Sequence, residues 1–165
     1  MQKLKVSFNS PQCGFMSIGF TDDANEFHTT TAHAPHENAL SELLTILTIL
    51  LDNGSAQNDF TLRWNRNPEE FDFLFKREGH DSKNVSLEIW QYPSENRLTR
   101  EKVFSHEGEI LEVCAAFFDT FSQMHDDRET DAFEQNWRQP FPHKAFEDFT
   151  NSFSREKNNF TTQNQ

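Results

Sequence analysis

Cysteine and glycine are scarce in this chain, and basic residues are outnumbered. Cys13 and Cys114 are the only cysteines among 165 residues, too few for a disulfide scaffold. With five glycines in all, the chain has no Gly-rich loop to cradle phosphates on successive N–H groups, and no Gly-x-Ser-x-Gly elbow. Lys and Arg number 15 against 27 Asp and Glu, giving a net charge of −12. No basic run exceeds Lys76-Arg77, which argues against nucleic acid, whose binding draws on displaced counterions. An anionic membrane surface is disfavoured for the same reason.

Long hydrophobic runs are missing too. The richest, Leu40 to Leu51, is interrupted by Ser41, Glu42, Thr45 and Thr48, so it is too short and too polar to span a bilayer. The start, Met1-Gln2-Lys3-Leu4-Lys5-Val6, turns polar at Asn9-Ser10-Pro11 and has no apolar signal core. The expectation is a cytoplasmic protein with no membrane or nucleic-acid partner. A basic protein is the partner its charge suits, because opposite potentials steer encounter.

What the chain does have is phenylalanine, 18 of them, bunched at regular spacings. Alternation marks strands at Leu4–Phe8, Phe15–Phe20 and Phe27–Ala32, the last two joined as a hairpin through a turn-rich Thr21–Asn25. Pro35 introduces a helix over His36–Leu51, whose Leu40, Leu43, Leu47 and Leu50 form the middle of a buried face. Phe60–Trp64, Phe71–Lys76 and Val85–Ile89 read as three more strands, followed by a weaker one at Leu98–Phe104. A second helix is expected from Glu107 to Met124 behind an N-cap at Ser105, with Ile110, Val113, Cys114, Phe117, Phe118 and Phe121 inward. A short helix at Thr130–Trp137 and a helical turn at Lys144–Phe149 follow.

The expected class is α+β: one antiparallel or mixed sheet of about seven strands in the order β-β-β-α-β-β-β-β-α. The two main helices pack on one face, and short helical turns close the chain. Residues 1–150 make a single domain, and 151–165, rich in Ser, Thr, Asn and Gln, read as a disordered tail. Arg63, Asp72, Lys76, Ser86 and Glu88 fall on the polar face of the sheet.

No local pattern spells out a reaction. His33 and His36 lie three apart in a strand–helix link, but zinc needs three or four ligands, and only His28 or Glu37 is at hand to add one. His125-Asp126-Asp127 resembles half of a metal-hydrolase ligand set without its other half. Asp72 and Glu88 could divide acid and base roles if their strands were neighbours. Cys114 sits mid-face on a helix and reads as core, while Cys13 reads as exposed. The expectation is therefore no metal and no cofactor.

Interface candidates are the aromatic residues Trp90 and Tyr92 with Glu88, and the acidic stretch of Asp126, Asp127, Glu129 and Asp131. In size, charge and class the outline resembles small acidic bacterial immunity proteins that neutralise a toxin by binding it. No motif carries that likeness, and it transfers no site residue. The leading expectation is thus a non-catalytic binding protein, more readily not an enzyme. The alternatives are a small hydrolase built from distant groups, with His28, His33 and Glu88 the first to inspect, and a structural subunit or homodimer.

Overall fold

A computed structural model describes residues 3–165; Met1 and Gln2, read above as part of the polar start, lie outside it. The element order is β1 (Lys5–Phe8), β2 (Phe15–Thr21), β3 (Glu26–Ala32), α1 (Ala39–Leu51), β4 (Asp59–Asn65), β5 (Glu70–Arg77), β6 (Asn84–Tyr92), β7 (Glu101–Glu109), α2 (Ile110–Asp127), α3 (Phe133–Trp137) and α4 (His143–Gln163). This is an α+β fold with seven strands and two main helices in the order that the periodicities require. No helix among the described residues is long and apolar enough to cross a membrane.

The seven strands hydrogen-bond as two antiparallel ladders, β1-β2-β3 and β4-β5-β6-β7. In the larger ladder the alternation of aromatic side chains sets the register. Phe71, Phe73 and Phe75 of β5 stand opposite Trp64, Leu62 and Phe60 of β4, and Phe73 and Phe75 stand opposite Ile89 and Leu87 of β6. All of these side chains are buried, so one face of the sheet is predominantly apolar. Each fully buried Phe contributes roughly 2–3 kcal/mol of transfer free energy.

The β2–β3 hairpin lies across that apolar face, from the β7 edge to the β4 edge. At its turn, Asn25 Nδ2 donates to Ser105 O at 3.1 Å. In its middle, Phe20 meets Phe73 and Phe104, with ring centroids 5.7 Å apart in each pair, and Phe27 meets Phe71 at 5.9 Å. At its far end Trp64 Nε1 donates to Ala32 O at 3.1 Å. Strands crossing in this way make a two-layer core.

The Leu-rich α1 is covered on both sides, by β4 and by α4. Its C-terminal carbonyls are capped by Arg77, a β5 side chain on the apolar face. The guanidinium donates to Leu50 O at 2.5 Å and Ile49 O at 3.3 Å, where a positive charge offsets the helix dipole.

Three expectations need correction. The chain from residue 151 on is helical to Gln163, not a disordered tail. Phe146, Phe149 and Phe153 are buried along one stripe of α4, and Phe153 stacks on Phe118 of α2 at 4.7 Å. Three aromatic residues at helical spacing fix a helix that average polarity conceals. Strand β7 also extends further than expected, to Glu109, because Val85 and Asn84 of β6 keep pairing with Gly108 and Glu109. Ser105 is therefore mid-strand, not a helix cap. Leu98, expected to open that strand, lies in the preceding turn and is 83 % exposed.

Candidate functional site

Two clusters of ionisable groups are buried in the molecule, one on each side of the large sheet. On the apolar side, His106 of β7 and Asp22 of the β2–β3 turn meet through Nδ1 and Oδ2 at 2.7 Å, with side chains only 2 % and 0 % exposed. Asp22 Oδ1 also accepts the N–H groups of Ala24 and Asn25, at 2.9 and 2.8 Å. Burial alone would raise the Asp22 carboxyl, but the hydrogen bonds from His106, Ala24 and Asn25 outweigh it and hold it below its ordinary value. Gly108 makes room for the imidazole, since a Cβ there would sit 2.9 Å from His106 Nε2. The pair ties the hairpin to β7.

The second cluster lies on the outer, polar face, where β5 carries Glu70 and Asp72 between its buried phenylalanines. Arg97, from the β6–β7 turn, donates through Nη1 to Glu70 Oε2 at 2.7 Å and through Nη2 to Asp72 Oδ2. Its backbone is in the left-handed region, φ 55°, a conformation that a side chain disfavours and that surrounding contacts must hold. Tyr92 of β6 donates its hydroxyl to Asp72 Oδ2 at 3.1 Å, and the guanidinium carbon stacks 3.8 Å over the Tyr92 ring. Burial would lower the Arg97 pKa, but Asp72 and Glu70 together raise it well above the usual value. Glu70 and Asp72 are each 9 % exposed and Arg97 is 18 % exposed. Interactions at this depth are screened far less than surface pairs.

His36, from the β3–α1 link, points at the same place. Its Nε2 is 3.8 Å from Glu70 Oε1, beyond hydrogen-bond length. Asn65, at the end of β4, is the cross-strand partner of Glu70 and is buried on the same face. Side chains from five separate segments thus converge. The assembly is incomplete: Asp72 Oδ1, Asn65 Oδ1 and His36 Nε2 are buried with no hydrogen-bond partner. Buried polar atoms are nearly always paired, by protein groups or by ordered water.

The same face continues along β6. Trp90, directly across from Asp72, is half-buried. It donates Nε1 to Glu88 Oε2 at 2.8 Å and is overlaid by Arg100 at 4.0 Å. Glu88 also pairs with Lys102 at 3.5 Å, beside a polar concavity of about 390 Å³ that Ser86, Ser105 and Glu107 help to line. Of the residues expected at an interface, Glu88, Trp90 and Tyr92 therefore share this face, with Tyr92 buried in the cluster. The acidic stretch is elsewhere, at the end of α2: Asp127 accepts from Gln123 and Asp131 from Ser10, both at 2.6 Å. Asp126 lies 3.6 Å from His125, and Glu129 falls in the turn that follows the helix.

The histidine groupings weighed from the sequence are not brought together among the described residues. His28 pairs with Glu26 at 2.6 Å on the surface. His33 sits by Gly14 and Arg138, with its ring against Trp137, so the β3–α1 link sends His33 and His36 to different neighbours. Glu88 and Asp72 are not paired with each other. Among the described residues no three His, Cys, Asp or Glu side chains are grouped as metal ligands. Cys13 is exposed and Cys114 buried, both free, and burial pushes the Cys114 thiol up.

These contacts correct the leading expectation of a non-catalytic binding surface. A histidine, two carboxylates, an arginine and a tyrosine meet in a partly buried network, a plausible catalytic arrangement that backs a site assembled from distant groups better than a non-catalytic surface. The sequence could not reveal it because its members lie tens of residues apart. The nearest signal was Glu70 and Asp72, two acids two apart in an aromatic strand. Compared with family models, curated proteins and solved structures, the chain matches none.

Proposed function

We propose that this chain is a small hydrolase whose working groups are His36, Glu70 and Asp72, positioned by Arg97 and Tyr92. The observation that carries the reading is the convergence of these groups with orphaned atoms among them, Asp72 Oδ1 and His36 Nε2. Arg97 and Tyr92 engage one oxygen of Asp72, and Arg97 engages one oxygen of Glu70. That fixes both carboxylates and leaves their second oxygens to hold water or substrate. A neutral imidazole beside such a carboxylate accepts a proton from water and returns it to a leaving group. Water's hydroxyl bonds to the electrophilic centre as the bond to the leaving group breaks, and the proton follows through His36. The Arg97 guanidinium supplies fixed positive charge near the charge that develops. Two unpaired cysteines, one of them exposed, suit a reducing, cytoplasmic setting.

The test is turnover of chromogenic esters, phosphomonoesters, amides and glycosides by the intact chain and by His36→Gln and Asp72→Asn. The expected result is hydrolysis of at least one class, reduced roughly 100-fold or more in both variants while circular dichroism stays unchanged. A chain inert towards all four classes, or variants as active as the parent, would end the reading.

A further inference from the structure

The outer-face cluster is closed. Glu70, Asp72 and Tyr92 are buried, and the unpaired Asp72 Oδ1 is out of reach of solvent. A reactive group so covered works only if its cover moves. The cover here is the β6–β7 turn, residues 93–100, because its Arg97 lies across both carboxylates and the Tyr92 ring.

Little else fastens that turn. Its own hydrogen bonds, from Arg97 N–H to Ser94 O and from Leu98 N–H to Asn96 Oδ1, both 3.2 Å, stay within it. Its one leucine, Leu98, is 83 % exposed and anchors nothing. Two guanidinium groups hold it to the sheet: Arg97 on Glu70 and Asp72, and Arg100 on the Trp90 ring at 4.0 Å. Arg97 does so from left-handed backbone, φ 55°, a conformation that costs energy and persists only while its contacts hold it. Near the root of the turn the β6–β7 register shifts between Ile89 and Trp90, which interrupts the ladder where the turn begins. Few buried apolar contacts and a backbone facing solvent are the marks of a segment that opens locally.

We infer that residues 93–100 form a strap that lifts from the outer face while the rest of the sheet stays folded. Lifting uncovers Glu70 and Asp72, and closing returns Arg97 to them. The need to open rests on the hydrolase reading; the motion itself stands on how the turn is fastened. Arg100 is the latch, since removing it frees one end of the strap and leaves the hydrogen bonds of the cluster in place.

The test is labelling of carboxyl groups with a water-soluble carbodiimide and glycine ethyl ester, read residue by residue by mass spectrometry. Asp126, 76 % exposed, reports the full rate of the reagent. Asp22, 0 % exposed in its pair with His106, reports opening of the whole fold. Glu70 and Asp72 are expected to label more slowly than Asp126 but roughly tenfold or more faster than Asp22. Arg100→Ala, a change at an exposed residue, should raise their rate several-fold and leave Asp22 and Asp126 unmoved. Labelling of Glu70 and Asp72 no faster than that of Asp22 overturns the strap, and so does an unchanged rate in Arg100→Ala. Selective labelling in a chain that hydrolyses none of the four substrate classes keeps the strap and ends the hydrolase reading. Turnover by a chain whose Glu70 and Asp72 label only with Asp22 does the reverse.

Discussion

Asp22 and Asp72 are both buried aspartates facing a cationic or histidine partner, yet their surroundings differ. Asp22 is saturated: His106, two backbone N–H groups and the Asn25 side chain occupy its oxygens. Asp72 receives Arg97 and Tyr92 on one oxygen and nothing on the other. The first lies on the apolar side of the sheet, locking one layer to the next. The second lies on the outer side, near solvent, in a network with two more orphaned atoms. The two aspartates are alike in residue type and burial and differ in how completely they are hydrogen-bonded.

Several substitutions would break or sharpen this contrast. The largest effect is expected from His36→Gln, which should cut turnover roughly 100-fold yet move the thermal midpoint by no more than a few degrees. A midpoint that collapses with the activity would place the outer cluster with the structural one. Asp22→Ala should behave oppositely. It strands a buried imidazole and should cost about 3 kcal/mol, read as the midpoint of urea unfolding, while residual activity per folded molecule is retained. Gly108→Ala presses a methyl group against His106 and should cost about 1–2 kcal/mol; an unchanged midpoint would mean that the imidazole yields freely.

Acid stability offers a gentler probe of the same contrast. The Asp22 carboxyl is held below its ordinary value when folded, so the unfolded state binds its proton first as pH falls. Its contribution is therefore present above the unfolded-state value and is lost as pH drops through the folded one, below about pH 4. Asp22→Asn should flatten that part of the curve in a pH series of unfolding midpoints. The smallest effect is expected at Glu88→Gln: the pair with Lys102 is well exposed, and its loss should cost under about 0.5 kcal/mol. A larger loss there would extend the working network along β6 beyond Trp90.

How legible all this was varies along the chain. Phe71, Phe73 and Phe75 declared both a strand and its buried face, because a period of two admits little else. Helix α4 was harder to read: Lys144–Phe149 suggested one helical turn, but the polar residues from 151 on suggested a tail, and the apolar surface comes from elsewhere in the chain, Phe118 for Phe149 and Phe153 and His125 and Phe141 for Phe146. Ser105 looked like a helix cap until the β6–β7 ladder claimed it. At the candidate site, Asp72 and Glu88 were legible as residues of the polar face of the sheet, whereas Arg97 and His36 sat in turns with nothing local to mark them.

The sequence by itself determined the order of the elements, which face of each strand is apolar, and the excess of negative charge, since these follow from spacing and composition along the chain. The tertiary structure alone decided that β2 and β3 cross the larger sheet, that α4 covers α1, and that His36 and Arg97 reach Glu70 and Asp72. The physical reason is that backbone periodicity is a local property, whereas a buried charge finds its partner only after apolar faces have packed and brought distant turns together.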